Sequence, residues 1–412
     1  MTLFKRSIIF GLSILWSAVS QNETVTLSFD ELTEYSMEQS LSIQMIKEEF
    51  ELVKTEMDID LQWTNPTFNY SQEFVNEEFE YYFTLNKQIE FPWIVAQRRK
   101  SWNAYIKAAD YKMNEQIREF NSELKNGYCE IKLLEIQLSH LEKFKVAIVN
   151  LSDVANSQFQ EGNISGIEQH LIQMSLINIT VNMQNIERKL ESVKSQWKIK
   201  MGMNVSAELK LSSRIIFQPI VLETVDQYLS MSSNSPGYLK RKMMKDAIQN
   251  RIKLEKKQFI PHFSVFGGPK QIDGNQGYIT GISIPIPVLN RNKAGIQKQK
   301  IDYQLAVNKL ERFDQYHKSK VKSLVIAIHN LADWHQNLPE NLNNDSTTIS
   351  SLISAYEEGW MSLTEMLNAI QIHSNGKQQY YEQLILYYKN IFQLEAITGE
   401  SLVTFAPKGE NK

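Results

Sequence analysis

Phe79-Glu80-Tyr81-Tyr82-Phe83-Thr84-Leu85-Asn86-Lys87-Gln88-Ile89-Glu90-Phe91 alternates with a period of two. Phe79, Tyr81, Phe83, Leu85, Ile89 and Phe91 fall on one face of an extended chain, with Lys87 the exception on it. Glu80, Tyr82, Thr84, Asn86, Gln88 and Glu90 fall on the other. Successive side chains of a strand point to opposite faces, so this pattern predicts a strand over 79–91 with one apolar face. The preceding stretch, 66–75, behaves alike. Phe68, Tyr70 and Phe74 oppose Thr67, Asn69, Ser71 and Glu73. Each strand is about ten residues long, enough to cross a bilayer at a tilt. The aromatic face suits lipid and the polar face suits water.

The arrangement returns later in the chain. Pro66-Thr67-Phe68 matches Pro261-His262-Phe263, and Pro92 matches Pro287, both at an offset of 195. Strands are expected at about 261–269 and 276–287. There Phe263 and Val265 alternate with His262 and Ser264, and Tyr278, Ile282, Ile284 and Ile286 share a face. Glu161-Gly162-Asn163-Ile164-Ser165 reappears as Glu358-Gly359-Trp360-Met361-Ser362 at an offset of 197. Phe159 and Tyr356, Glu168 and Glu365, and Gly202 and Gly399 keep that offset. Shared order and spacing point to a tandem duplication, 21–216 and 217–412. Each copy is expected to hold a helical stretch (about 29–63, then 219–258), two strands, and a pair of long helices (about 93–201 and 290–398).

Those helices are long because little interrupts them. From Trp93 to Gly162 there is no proline, and Gly127 is the one residue that breaks the pattern. Sixty residues of helix reach about 90 Å. Ile131, Leu134, Leu138 and Leu141 recur at spacings of three and four, as do Val321, Leu324, Ile328 and Leu331. Tyr380, Leu384, Tyr387, Ile391 and Leu394 continue the rule. Such a seam seeks a partner helix. Asp314, His317 and Lys377 interrupt it. Helical hairpins packed sideways in a ring fit this pattern, and so does one isolated coiled coil.

Four strands cannot close a barrel, and an open edge in lipid leaves N–H and C=O groups without partners. If the strands cross a membrane, several chains must share the barrel. Three chains give about twelve strands, within the range of known barrels.

Composition narrows the function. The 412 residues carry 44 basic and 47 acidic side chains, a formal charge of −3, with no long basic run. That argues against a nucleic-acid partner. Cys129 is the single cysteine, which excludes an intramolecular disulfide and any Cys/His metal cluster. It is expected to be a small, half-buried helix residue. Residues 1–20 resemble an export signal: Lys5 and Arg6 precede the apolar run Ile8 to Val19, and Ala18-Val19-Ser20 offers small residues at the cut. No later stretch offers eighteen consecutive apolar residues, so no helical membrane span is expected.

Taken together, the signal, the duplication, the strand pairs and the motif after each helical turn resemble the TolC-like outer-membrane efflux family. The most specific stretch is Tyr356-Glu357-Glu358-Gly359-Trp360-Met361-Ser362-Leu363-Thr364-Glu365-Met366-Leu367-Asn368-Ala369. Gly281-Ile282-Ser283-Ile284-Pro285-Ile286-Pro287-Val288-Leu289-Asn290-Arg291 resembles the family's strand leading into a long helix. Leu394-Glu395-Ala396-Ile397-Thr398-Gly399 resembles the end of its last long helix. The resemblance implies an α+β chain, mostly α, whose four strands join a trimeric transmembrane β-barrel and whose hairpins form a periplasmic α-barrel. It implies a homotrimer in outer-membrane lipid, meeting a periplasmic adaptor and an inner-membrane pump, with no catalytic chemistry and no cofactor.

By the same resemblance, Glu161, Gly162, Asn163, Glu358, Gly359, Trp360 and Met361 lie at adaptor-docking tips. A glycine cap with no partner is the plainer reading of Gly162 and Gly359. Glu365, Asn368 and the matching Glu168 mark an entrance constriction, where family members tend to be acidic; Asn368 departs from that. A solvated surface glutamate is the plainer reading of Glu365. His329, Asp333 and His335 lie within two helical turns, and His329 and Asp333 are spaced to share a metal, although such spacing is common by chance. No Ser/His/Asp order, HExxH, Walker loop or GxGxxG is present, so an enzyme has no motif to support it. The rival to a channel is a soluble periplasmic coiled-coil scaffold or adaptor.

Overall fold

The computed structural model describes residues 24–75, 78–162, 164–213, 215–258, 262–272, 274–288, 291–338 and 345–405. The expected signal at 1–20 lies outside them. The chain runs β1 (Thr24–Leu27), α1 (Glu31–Gln39), α2 (Leu41–Leu61), β2 (Thr67–Val75), β3 (Glu78–Glu90), α3 (Pro92–Gln160), α4 (Gly166–Met201) and β4 (Glu208–Leu211). Then follow α5 (Val225–Ser232), α6 (Pro236–Lys257), β5 (His262–Ile272), β6 (Asn275–Ser283), α7 (Lys293–Gln336), α8 (Asp345–Glu357) and α9 (Leu363–Thr398).

Four strands form an antiparallel sheet in the order β2-β3-β5-β6. Phe68 lies opposite Leu85, Tyr70 opposite Phe83 and Phe74 opposite Phe79. Ile89 faces Phe263, and Val265 faces Ile282. Cross-strand partners share a face, so the apolar rows merge into one surface. It is open: Phe68 is 66% and Tyr278 86% exposed. On the opposite face Asn69 meets Thr84, Glu73 meets Glu80, and Gln88 meets Ser264. Lys87, the exception on the apolar face, donates to the Thr64 carbonyl and lies 5.6 Å from the Trp63 ring. Its stem lies along the sheet while its charge reaches the helix-side rim.

β6 stops at Ser283, short of the expected 287. Pro285 and Pro287 have no N–H for a ladder, so Ile284 and Ile286 fall outside the strand. The sheet is fixed to the helices by one arginine. Arg98 in α3 grips Glu90 at the end of β3 with two hydrogen bonds, 2.6 and 2.8 Å, and donates to the Asp60 carbonyl of α2 at 3.1 Å. The planar guanidinium fork matches a carboxylate in this way.

α3 is one unbroken helix of 69 residues, about 104 Å at the usual rise. Pro92 opens it, where a missing N–H costs nothing. Its counterpart in the second half is divided. α7 ends at Gln336 and α8 begins at Asp345, with Pro339 between them. A helix usually stops short of a proline, because the residue before it is disfavoured in the helical region.

The largest core gathers the middle of α3 (Leu124, Tyr128, Ile131), the end of α4 (Trp197), α7 (Val321, Leu324, Ile328) and α9 (Leu384, Tyr387, Ile391). Ile131, Val321, Leu324, Ile328, Leu384, Tyr387 and Ile391 belong to the 3,4 seams, and Leu124, Tyr128 and Trp197 join them. A small parallel sheet, β1 with β4, packs on this core through Leu27, Leu209 and Leu211. The Tyr128 hydroxyl donates to the Leu27 carbonyl and accepts from Ser213 N–H at 2.9 Å. A second core lies toward the far ends of the helices. It joins Phe144 and Ile148 of α3, Ile179 of α4, Ile349 of α8, and Leu363 and Met366 of α9. Cys129 is fully buried rather than half-buried, because its turn of α3 faces the main core. Burial pushes its thiol well above the ordinary value.

Candidate functional site

Two turns join the long helices at the ends away from the sheet: 161–165, between α3 and α4, and 358–362, between α8 and α9. Gly162 has φ +80° and Gly359 φ +75°. That left-handed conformation crowds a Cβ, so glycine is favoured at both. Gly162 N–H donates to the Phe159 carbonyl and Gly359 N–H to that of Tyr356, each at 3.0 Å. Trp360 N–H reaches back to the Ala355 carbonyl at 2.8 Å. These bonds satisfy the last carbonyls of α3 and α8. Among the described residues, no heavy atom outside the chain neighbours lies within 4 Å of a Cβ built on either glycine, so both backbones stand open there. Glu161 and Glu358 are exposed beside them. Trp360 is 82% exposed, while Met361 is half-buried against the second core. Asn163 lies outside the described residues.

Each turn then starts a helix in the same way. Ser165 Oγ accepts from Glu168 N–H at 3.2 Å, and Glu168 Oε2 accepts from Ser165 N–H at 2.8 Å. Ser362 Oγ accepts from Glu365 N–H at 3.3 Å, and Glu365 Oε2 accepts from Ser362 N–H and Oγ, both at 2.8 Å. These are two capping boxes, which satisfy orphan N–H groups reciprocally. Glu365 therefore has a local task beside any charge it shows to solvent. The hydrogen bonds from Ser362 hold its carboxyl below the ordinary value. Asn368 is exposed one turn further on. The sequence reading missed Ser165 and Ser362, although Ser-x-x-Glu before an apolar run is the signal for such a box. Near these turns the Tyr356 hydroxyl of α8 is pushed up, first by burial and then by the charge of Glu168 at the start of α4.

No protein-family model matches the sequence, and no curated protein does. Solved structures do match. The Campylobacter jejuni CmeC outer membrane channel superposes with a TM-score of 0.77 at 12% identity, covering 90% of this chain and 85% of its own. CusC, described in connection with folding and transmembrane channel formation, gives 0.76 at 15% identity, covering 94% and 96%. The open state of the Neisseria gonorrhoeae MtrE outer membrane channel gives 0.73 at 13%, covering 94% of each chain. The chain has the fold of the TolC-like outer-membrane efflux channels. The likeness covers nine-tenths or more of this chain, and at these identities it is a likeness of fold.

Within this TolC-like fold the histidines separate. His329 Nε2 lies 3.4 Å from Asp333 Oδ2, and both are exposed. His335 is buried at 6% exposure, stacked on Phe217 at 4.6 Å, with Tyr380 and Trp334 edge-on. Neither of its ring nitrogens has a hydrogen-bond partner among the described residues. The three residues do not converge, and no group of three His, Cys, Asp or Glu among the described residues is placed to hold a metal ion. Among the described residues, no helix is long and apolar enough to cross a membrane. The apolar surface that could meet lipid belongs to the sheet.

Proposed function

We propose that three copies of this chain form an exit channel in the outer membrane. It passively conducts what an inner-membrane pump and a periplasmic adaptor hand over. The observation that carries this reading is the four-stranded sheet, apolar on one face, polar on the other, with β2 and β6 as its outer strands. Lipid does not tolerate open edges, so several copies must share one closed barrel. Three copies give about twelve strands. The long hairpins then extend the duct into the periplasm. The matched structures are described as outer membrane channels, which supports the same role here.

In this reading the open backbones at Gly162 and Gly359 receive the adaptor, flanked by Glu161, Asn163, Glu358 and Met361. Trp360 is the anchor, since an exposed aromatic at a tip supplies large contact area at small entropic cost. Glu365, with Asn368 and Glu168 nearby, lines the entrance, where three copies form a negative ring favouring cations. The chain performs no reaction, and energy comes from the pump.

The test is mass and location. Membranes are fractionated, the protein is extracted in detergent, and the particle is weighed by light scattering corrected for detergent. An outer-membrane trimer is expected. A soluble monomer or dimer would mean that the sheet never meets lipid, and a coiled-coil scaffold would replace the channel.

A further inference from the structure

The apolar side of the sheet continues onto one side of the helices beneath it. Phe91 follows the apolar row of β3. Its ring lies 5.2 Å from that of Phe263 and stacks at 4.4 Å on Trp93, at the start of α3. Trp93 is 52% exposed. α3 and α6 run antiparallel: Gln97 Nε2 donates to the Asn250 carbonyl at 3.2 Å, and the Ser101 hydroxyl to that of Ala247 at 3.1 Å. Nearer the sheet, the same register sets Trp93 level with Leu254, in the last turns of α6. Lys253, Lys256 and Lys257 are exposed around that level. Lys100, two turns from Trp93 on the same stripe of α3, is exposed as well.

What lies opposite fixes the side. A recess of about 310 Å³ is lined by Trp102 and Tyr105 of α3 and by Ile248 and Arg251 of α6. Lys100 is two residues from Trp102, and Lys253 two residues from Arg251. Two residues are about 200° around a helix, so both lysines stand on the side away from the recess, with Trp93. None of the four lysines takes part in an ion pair among the described residues. Lys257 Nζ meets only the neutral Gln97 Oε1, at 3.4 Å. Carboxylates at this level are engaged elsewhere. Arg98 holds Glu90, Asn292 Nδ2 donates to Glu255 at 2.7 Å, and Glu56 lines the recess. Asp246 shares the lysine side but lies two turns further from the sheet than Lys253.

We propose that Trp93, Lys100, Lys253, Lys256 and Lys257 bind the headgroups of acidic phospholipids in the leaflet next to the helices. The acyl chains lie along the apolar sheet. Trp93 sits at the boundary between hydrocarbon and water, where its amphipathic ring is favoured. The lysine stems follow the surface while their ammonium groups meet the lipid phosphate. A zwitterionic headgroup brings its own cation and leaves the lysines repelling one another; an acidic one neutralises them. The site rests on the reading that the sheet meets lipid, and it adds which lipid is preferred there.

The test titrates the full-length protein, in neutral detergent, with dioctanoyl phosphatidylglycerol and dioctanoyl phosphatidylcholine, with binding read by native mass spectrometry. The wild type is expected to prefer phosphatidylglycerol about tenfold or more, and added salt to narrow the gap. Lys100→Gln, Lys253→Gln, Lys256→Gln and Lys257→Gln together should bring the two affinities within about twofold. Arginine at the same four positions should keep the preference, as should Lys309→Gln with Lys322→Gln far from the sheet. Trp93→Ala should weaken both lipids and leave their ratio unchanged. Equal binding by the wild type, or a preference that survives in the glutamine variant, overturns the site and leaves the channel standing. Displacement of phosphatidylglycerol by inorganic phosphate, with Trp93→Ala without effect, assigns the lysines to a free anion and also overturns it. A wild-type protein that stays soluble without detergent and binds neither lipid overturns the channel reading itself.

Discussion

Gly127 in α3 lies against the indole of Trp197 in α4, so closely that a Cβ on the glycine would stand 2.3 Å from Trp197 Cδ1. The indole N–H donates to the Leu124 carbonyl at 3.0 Å, one turn before that glycine on the same helix. Glycine inside a helix costs about 1 kcal/mol relative to alanine. Here it lets two long helices approach and seats a buried tryptophan. In the sequence this residue looks like a defect in α3; in the structure it seats Trp197 where the two helices of the first hairpin meet.

Gly127→Ala is therefore expected to destabilise the protein by about 1–3 kcal/mol, as overpacking does, despite the gain in helix propensity. Gly376 in α9 is the control. Nothing lies within 4 Å of its built Cβ, so Gly376→Ala is expected to stabilise by up to about 1 kcal/mol. Thermal unfolding followed by circular dichroism checks both. A stabilised Gly127→Ala would show that the Trp197 contact does not constrain the hairpin.

The capping box at Ser362 separates two roles of Glu365. Ser362→Ala is expected to cost about 1 kcal/mol of stability. Glu365→Gln keeps a residue able to close the box but removes the charge. Conductance recordings across a salt gradient should then show weaker cation preference with little loss of stability. Unchanged selectivity would leave Glu365 only its capping role. The sign with pH is fixed as well. The folded carboxyl titrates below its ordinary value of 4.5, so its contribution is present above that value and fades as pH falls through the lower folded one.

His335 makes stability depend on pH in the acid range. Burial pushes its imidazole down from 6.5 to about 4. Between those values the unfolded chain takes up a proton that the folded chain refuses. Stability is thus complete above about 6.5 and declines as pH falls toward 4, by a total on the order of 3 kcal/mol. His335→Phe should remove its share of that decline and leave the share of His140, which burial also pushes down to about 4; chemical denaturation at pH 7 and pH 4.5 would reveal the difference. An equal decline in the variant would assign the acid sensitivity to other groups.

Trp360→Ala is expected to weaken adaptor capture about tenfold or more, as loss of an aromatic anchor does. It should leave unfolding unchanged, since the side chain is 82% exposed. Pull-down of the adaptor with matched amounts of folded channel decides it. Full retention of binding would move the docking surface away from the 358–362 turn.

Much of this was legible in the residues themselves. The alternation of 79–91 determined a two-faced strand because a strand has no other way to place Phe79, Tyr81, Phe83 and Leu85. The absence of proline between Trp93 and Gly162 determined a long helix, and the seam residues Ile131, Leu324 and Tyr387 determined which sides are buried. These are local rules, set by backbone geometry and side-chain period. What depends on distant groups was not legible. The β1–β4 pair joins four-residue strands more than 180 positions apart, too short to show a period. Gly127 acquires its meaning only when Trp197 arrives from another helix. His335 is separated from its neighbour in sequence, Asp333, by the side of α7 that each occupies. The order β2-β3-β5-β6 follows from how the strands on either side of α3 to α6 pack together. Sequence fixes which surfaces need a partner; tertiary packing alone decides which surface answers, because contacts form between side chains far apart along the chain.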